Sequence, residues 1–369
     1  MIKKSTEALL KEIGVQAQKL NLKTWAVGGC VRDFYLNKDT QDIDIAVEGP
    51  AAELVDFCIK KWGGKKESFS TFGTYRVNLD NGVKLDFVRC RSEVYPQPAA
   101  LPVVQPATIK EDLYRRDFTA NAWAMSILPA NFGEGYDPYD AEKDINKKQI
   151  KILHEKSFLD DPTRMFRAVR FAGRFGWKME KETEKLLKTA VAENYPHMLS
   201  KERIRQEFIK ILQEKEIKRI FALLKKYDLI KFIFPGLKYN AALEKTQDVN
   251  VRTGILMLGL KKEGRFLLED LRLARNVTQE LECVFEIQNT KMSPLKELSK
   301  TQKDILNLFN PKLPPSAVHT PFLTGADIMN LGLKGKDISN AQKKLRALQF
   351  KGKINNKTEA AKEVTKWIK

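Results

Sequence analysis

Histidine and cysteine are scarce in this chain, and no stretch of it is both long and apolar. It has three histidines (His154, His197, His319) and four cysteines (Cys30, Cys58, Cys90, Cys283) with no C-x-x-C spacing. That excludes a zinc site of ordinary composition and a disulfide framework. The cysteines read as reduced core thiols, and the histidines, which fall outside every motif, as surface or packing residues. No apolar run approaches the roughly 20 residues of a membrane span, and the opening MIKKSTEALL lacks the apolar stretch of a signal peptide. The expectation is a cytoplasmic protein with no membrane association and no obligate protein partner. Internal repeats and low-complexity tracts are also missing.

What is abundant is charge. The 369 residues are 43% hydrophobic and 30% charged, which excludes a disordered chain and is enough for more than one domain. Residues 1–200 carry 31 basic and 28 acidic side chains, whereas residues 201–369 carry 34 and 19. Nearly all of the net charge of +18 therefore lies in the C-terminal part. A polyanion is drawn to such a surface with an affinity that falls as salt rises. A Lys-rich solvated surface accounts for the same numbers equally well.

Leu9, Leu10, Ile13, Val15, Ala17 and Leu20 predict an amphipathic helix over 5–20. Short β-type runs follow at 25–27, 43–47, 75–79 and 83–88, the last two separated by the hairpin signal Asp80-Asn81-Gly82, while 51–62 reads as a helix. Pro96, Pro98, Pro102 and Pro106 make 93–106 a loop or excursion, neither regular helix nor central strand. Helical spacing then dominates at 164–175, 181–194, 201–212 and 217–227, with turn clusters at 234–236 and 310–321 and short helices from 325 onward. Phe221, Phe232, Phe234 and Phe266 are spaced like core and not like a base-stacking platform. The predicted fold class is α+β, a small mixed sheet followed by helices.

The strongest chemical signal is Asp42-Ile43-Asp44 inside an otherwise apolar strand, preceded by Gly28-Gly29-Cys30-Val31-Arg32-Asp33. Residues i and i+2 of a strand point to one face, so Asp42 and Asp44 converge. Two converging carboxylates suit Mg²⁺, which takes a few protein oxygens and fills its remaining positions with water and substrate phosphates. Asp86, in Leu85-Asp86-Phe87, is a candidate third acid for a two-metal arrangement that activates a hydroxyl and holds a triphosphate. Gly28-Gly29, between a strand and a helix, lets bare backbone N–H groups approach phosphate oxygens, and Arg32 adds a charged donor. Either feature alone is ordinary, Gly-Gly as a tight turn and D-x-D as a solvated edge; together they point to a nucleotide.

These residues resemble the nucleotidyltransferase signature of the polymerase-beta superfamily. Arg115-Arg116-Asp117-Phe118-Thr119-Ala120-Asn121-Ala122 is similar to the RRDFTxNA motif of the class II tRNA nucleotidyltransferase and bacterial poly(A) polymerase family. Asp160-Asp161-Pro162-Thr163-Arg164-Met165-Phe166-Arg167 resembles that family's base-selecting motif, with Asp160 where the family usually has Glu, and Glu202-Arg203-Ile204-Arg205-Gln206-Glu207 its helix-supporting motif. The four motifs stand in the family's order over residues 25–212, and residues after about 240 match only loosely.

The resemblance implies a nucleotidyltransferase head (1–152), then a helical neck (153–215), body (216–290) and tail (291–369), the last two binding tRNA. It implies transfer of CMP, AMP or both from CTP and ATP to the 3′-hydroxyl of tRNA, with Mg²⁺ on Asp42 and Asp44 and help from Asp86. A poly(A) polymerase or an A-adding-only enzyme on the same scaffold, and a catalytically silent RNA-binding protein, are the alternatives. Gly28, Gly29 and Arg32 would hold the triphosphate, Arg115 and Asp117 the nucleotide, and Asn121 would help order the site; a salt-bridged helix start is the plainer reading of Arg115-Arg116-Asp117.

Asp161 and Arg164 have a physical logic of their own. Cytosine and adenine both present an amino donor beside a ring-nitrogen acceptor, so a carboxylate and a guanidinium accept both. Uracil and guanine present the reverse and leave polar groups unpaired, at roughly 1 to 3 kcal/mol each. Arg167, in the same motif, is assigned to nucleotide binding with them. The plainer alternative is a capped helix with Arg164, Arg167, Arg170 and Arg174 along one solvated face. The 93–106 segment corresponds in position to the family's flexible loop, or is a rigid surface excursion.

Overall fold

The computed structural model describes residues 3–38, 40–69 and 73–368, and the chain divides into two compact units, Met1–Leu199 and Ser200–Lys369. In the first unit, helix α1 (Lys4–Lys19) buries Leu9, Leu10, Ile13 and Ala17, while Val15 is exposed. Gly14 lies so close to the Ile127 carbonyl that any side chain there would collide with it. Strand β1 (Lys23–Val27), helix α2 (Gly29–Tyr35), strand β2 (Asp42–Glu48) and helix α3 (Ala52–Trp62) follow. Then come β3 (Lys65–Phe69), β4 (Thr74–Asn78), β5 (Lys84–Arg89), β6 (Arg91–Val94) and β7 (Val103–Pro106). Helix α4 (Ile109–Tyr114), short strands β8 (Ala124–Ser126) and β9 (Gly135–Tyr136), α5 (Ala141–Asn146), β10 (Gln149–Ile150), α6 (Ser157–Asp160), α7 (Thr163–Phe175), β11 (Lys178–Met179) and α8 (Lys181–Ala192) complete the unit.

One seven-stranded mixed sheet, in the order β3-β4-β5-β2-β1-β8-β9, organises this unit. Only β2 and β5 run parallel in it; the other neighbours are antiparallel. The Asp80-Asn81-Gly82 signal becomes the β4–β5 hairpin. Along β2, Ile43 and Ile45 are buried while Asp42 is exposed and Asp44 partly so, the alternation that period 2 requires. Ala46 shares the face of Asp44 and packs with Val27, Cys90, Ile109, Leu113, Ala122 and Ala124, so α4 covers that face beyond the aspartates. The proline-rich excursion is more ordered than a loop: β6 and β7 pair as a separate two-stranded ladder, with prolines confined to its end and to the connection, where no ladder N–H is needed.

The second unit is helical among its described residues: α9 (Lys201–Leu212), α10 (Ile217–Lys226), α11 (Ile230–Ile233), α12 (Val249–Gly259), α13 (Gly264–Leu271), α14 (Arg275–Thr290), α15 (Lys300–Phe309), α16 (Gly325–Asn330), α17 (Lys336–Phe350) and α18 (Lys357–Ile368). Helix α12 is buried almost all round and packs with α13, α14 and α15. Its Arg252, 1% exposed, donates to the carbonyls of Leu212, Glu214 and Leu243 at 2.6–3.0 Å, satisfying backbone oxygens in the interior. A further cluster of Leu323, Ile328, Ala341, Leu345, Ile354, Ala360 and Val364 closes α16–α18.

Two expectations are corrected here. Phe221, Phe232 and Phe234 are core, but Phe266 is 59% exposed, because α13 buries Leu267, Leu268 and Leu271 and turns position 266 outward. Cys30, Cys58 and Cys90 are buried free thiols, whereas Cys283 is only partly covered. No helix of the described residues is long and apolar enough to cross a membrane.

Candidate active site

The site grows from the turn between β1 and α2. Gly28 adopts φ +74°, a backbone that side chains rarely tolerate, and a Cβ there would stand 2.4 Å from Nη1 of Arg116. The parallel register of β2 with β5 sets Asp44 beside Asp86, and Asp42 shares Asp44's face two residues earlier. Burial pushes the Asp44 carboxyl up to about 6; Asp86 and Asp42 add to the rise, and Arg116 opposes it. Asp86 is held bidentately by Arg76, Nε to Oδ1 at 2.9 Å and Nη2 to Oδ2 at 2.6 Å. Among the described residues, no three His, Cys, Asp or Glu side chains are gathered as a metal cluster. A pair of crowded carboxylates, one of them unfavourably charged by burial, fits a cation that also takes substrate phosphates, as Mg²⁺ does.

Beside β2 opens a cavity of about 550 Å³. It is lined by nine of the residues picked out from the sequence: Gly29, Arg32, Asp44, Arg115, Asp117, Asn121, Asp161, Arg164 and Arg167. Gly28, Asp42 and Asp86 are not part of that lining. Seven arginines line it against four acidic residues, a balance suited to a polyanionic ligand.

A continuous polar chain fixes the lining. Arg32, 4% exposed, donates from Nε and Nη2 to Asp33 at 3.0 and 2.9 Å and from Nη1 to Asn121 Oδ1, and its guanidinium lies 4.6 Å over the Phe175 ring. Asn121 Nδ2 donates to Asp117 Oδ1 at 2.9 Å, and Arg167 grips Asp117 Oδ2 from Nε and Nη2 at 2.9 and 2.6 Å. Against the cost of burial, Arg167 and Asn121 hold the Asp117 carboxyl down to about 2. Asp112, fully buried, accepts from Arg115 at 2.7 and 3.0 Å and from Arg116 at 3.0 Å. Glu93 takes Arg91, Arg115 and the Tyr95 hydroxyl at 2.9–3.1 Å.

At the entry to α7, Asp161 Oδ1 accepts from Thr163 N and Oγ1 at 2.9 and 2.6 Å. Arg164 and Arg170 are buried, 4% and 7% exposed, which overturns the reading of α7's arginines as one solvated face.

Known proteins resemble this chain in sequence and in fold. Residues 24–151 match the family described as the poly A polymerase head domain, and residues 176–240 match the probable RNA and SrmB-binding site of polymerase A. The A-adding tRNA nucleotidyltransferase of Geobacter sulfurreducens is 36% identical over 262 residues, which is 70% of this chain and 30% of that protein. A solved CCA-adding enzyme in its apo form II superposes with a TM-score of 0.76 at 26% identity, covering 99% of this chain and 96% of that one. The Thermotoga maritima CCA-adding enzyme complexed with tRNA-CCA gives 0.70 at 26% identity, covering 100% and 97%. The chain belongs to the class II tRNA nucleotidyltransferase and bacterial poly(A) polymerase family. It is α+β as that family is, a mixed-sheet head followed by helices. It spans less than half the length of the curated family members it matches first.

The sequence reading gave Asp112 no role, placed Glu93 and Tyr95 only in the 93–106 segment and Arg174 only on a solvated helix face, whereas all four lie in or behind the cavity; it also missed the Arg76 clamp on Asp86. Asp112 had a readable signal, since it stands three and four residues before Arg115 and Arg116 on a helix. Arg76 had none, because its pairing with Asp86 depends on the β4–β5 register.

Proposed function

We propose that this chain is a template-independent, Mg²⁺-dependent tRNA nucleotidyltransferase that transfers CMP, AMP or both from CTP and ATP to the 3′-hydroxyl of tRNA, with release of pyrophosphate. One observation carries the reading: a single arginine-rich cavity joins Asp44 to Asp117 and to Asp161 with Arg164, so metal-side, sugar-side and base-side groups face one ligand. The boundaries 1–152, 153–215, 216–290 and 291–369 serve as the head, neck, body and tail of this reading, in a cytoplasmic enzyme whose basic C-terminal part grips tRNA phosphates.

Asp42 and Asp44 hold the metal, which when bound lowers the pKa of the attacking hydroxyl and offsets charge on the triphosphate. Gly28 and Gly29 offer backbone N–H groups to phosphate oxygens, and Arg32 and Arg115 add positive charge. Asp117, kept ionised by Arg167 and oriented by Asn121, accepts from a ribose hydroxyl. Arg164 spends two N–H donors inside the protein and keeps the rest of its five for a base, while Asp161 accepts from the amino group. The bond formed joins the tRNA 3′ oxygen to the α-phosphorus, and the bond broken frees pyrophosphate. Asp86, engaged by Arg76, is an assisting acid once that clamp opens.

The relative named as A-adding supports a narrower reading in which AMP alone is transferred. Purified protein incubated with tRNA that is complete, or lacks one or all three terminal nucleotides, with CTP, ATP or both, separates these readings when products are sized at single-nucleotide resolution. Processive ATP-only elongation of unrelated RNAs would establish a poly(A) polymerase instead. Absence of any Mg²⁺-dependent incorporation would leave an RNA-binding protein.

A further inference from the structure

The base-reading pair Asp161 and Arg164 does not stand alone: both are tied to one small residue to which no role was given. Ser157, the first residue of α6, is 0% exposed. Its hydroxyl oxygen accepts from Arg164 Nη1 at 2.8 Å, and its backbone carbonyl accepts the Asp161 N–H at 3.2 Å. The other anchored nitrogen of Arg164, Nη2, donates to the carbonyl of Arg115 at 2.8 Å. A guanidinium is planar, so two anchors on different nitrogens fix both its plane and the edge it shows to the cavity.

We propose that Ser157 is a positioning residue for base selection: its hydroxyl, with the Arg115 carbonyl, sets the Arg164 edge that meets the base, and its carbonyl sets where Asp161 begins. The inference rests on the reading of Asp161 and Arg164 as the base-selecting pair. Discrimination between bases by two side chains works only when neither can turn to suit the wrong base, since a mobile guanidinium meets a carbonyl oxygen as readily as a ring nitrogen. The Arg115 anchor has a second effect. Arg115 is itself clamped by Asp112 and Glu93, so the group reading the base is braced against the residue on the phosphate and sugar side. Nucleotide choice and nucleotide grip thus share one support.

The test is the selectivity ratio, kcat/KM for CTP and ATP over kcat/KM for UTP and GTP, measured with the intact protein and a tRNA primer. A ratio is blind to the fraction of enzyme that is folded, so a merely structural role for Ser157 does not move it. Ser157→Ala is expected to lower the ratio by about tenfold, the effect of losing one hydrogen bond to a charged group, while Ser157→Cys, of similar volume but a poor acceptor, gives a similar loss should the alanine variant fold badly. Arg164→Ala is measured beside them. If Arg164→Ala collapses the ratio and both Ser157 variants keep the wild-type value, the positioning role is overturned and the base reading survives. If Arg164→Ala leaves the ratio unchanged, the base reading itself falls and takes this inference with it.

Discussion

The two units use positive charge in different ways. The first holds ten arginines among 31 basic residues, and seven of those ten line one cavity, where Arg164 is anchored on a hydroxyl and a carbonyl and the others are paired with carboxylates or packed on aromatic rings. The second holds 34 basic residues of which 26 are lysines, and its ion pairs are mostly exposed, as in Lys231–Asp228 and Lys366–Glu363. Its buried arginine, Arg252, meets carbonyls and no acid. Arginine's planar fork gives orientation, whereas lysine's mobile ammonium gives long-range attraction without fixed geometry. A ligand that must be identified atom by atom belongs with the first kind of charge, and a long phosphate backbone with the second.

The comparison breaks most sharply at the carboxylates. Asp42→Ala should lower nucleotide incorporation by at least about a thousandfold while tRNA affinity, measured by filter binding, stays within about twofold. Unchanged turnover would remove the metal assignment. Next in size is salt: from about 50 to 200 mM, tRNA affinity should fall by about a hundredfold or more, while the KM for nucleotide at saturating tRNA moves by less than about threefold. Changing exposed Lys343, Lys351 and Lys353 together to alanine should reduce the slope of log affinity against log salt by up to about 2. A slope that stays put would mean that the tail charges face away from RNA.

Stability sharpens the same contrast. Arg252→Met strands three buried carbonyls and should cost about 3 kcal/mol in urea unfolding, with the nucleotide KM of the folded protein unaltered. The smallest effect is pH-dependent. Asp117 is held at about 2 when folded, below its ordinary 3.8, so its contribution is fully present above pH 4 and disappears as pH falls from about 4 to 2. The difference in unfolding free energy between wild type and Asp117→Asn should therefore contain about 2 kcal/mol that vanishes over that window. A difference flat across it would show that Arg167 does not stabilise the ionised carboxylate.

Much of this was legible beforehand for local reasons. The Asp42–Asp44 face follows from strand parity, the Gly28-Gly29 turn from its place between an apolar strand and a helix, and the helices after 157 from apolar spacing. Position 266 misled because aromatic spacing alone does not say which side of a short helix meets the core. The β6–β7 ladder was hidden because it stands apart from the main sheet and shows no alternating burial. Arg76 on Asp86 and Ser157 on Arg164 were hidden for another reason: register decides the first and packing of α6 against α7 the second, and neither has a local spacing rule.

The near contact between Gly28 and Arg116 constrains how this molecule can be re-engineered. A chimera whose crossover falls between these positions inherits the turn from one parent and the guanidinium beneath it from the other. Modules taken from relatives will interchange safely only when the cut lies outside that span, so residues 28–116 travel as one cassette.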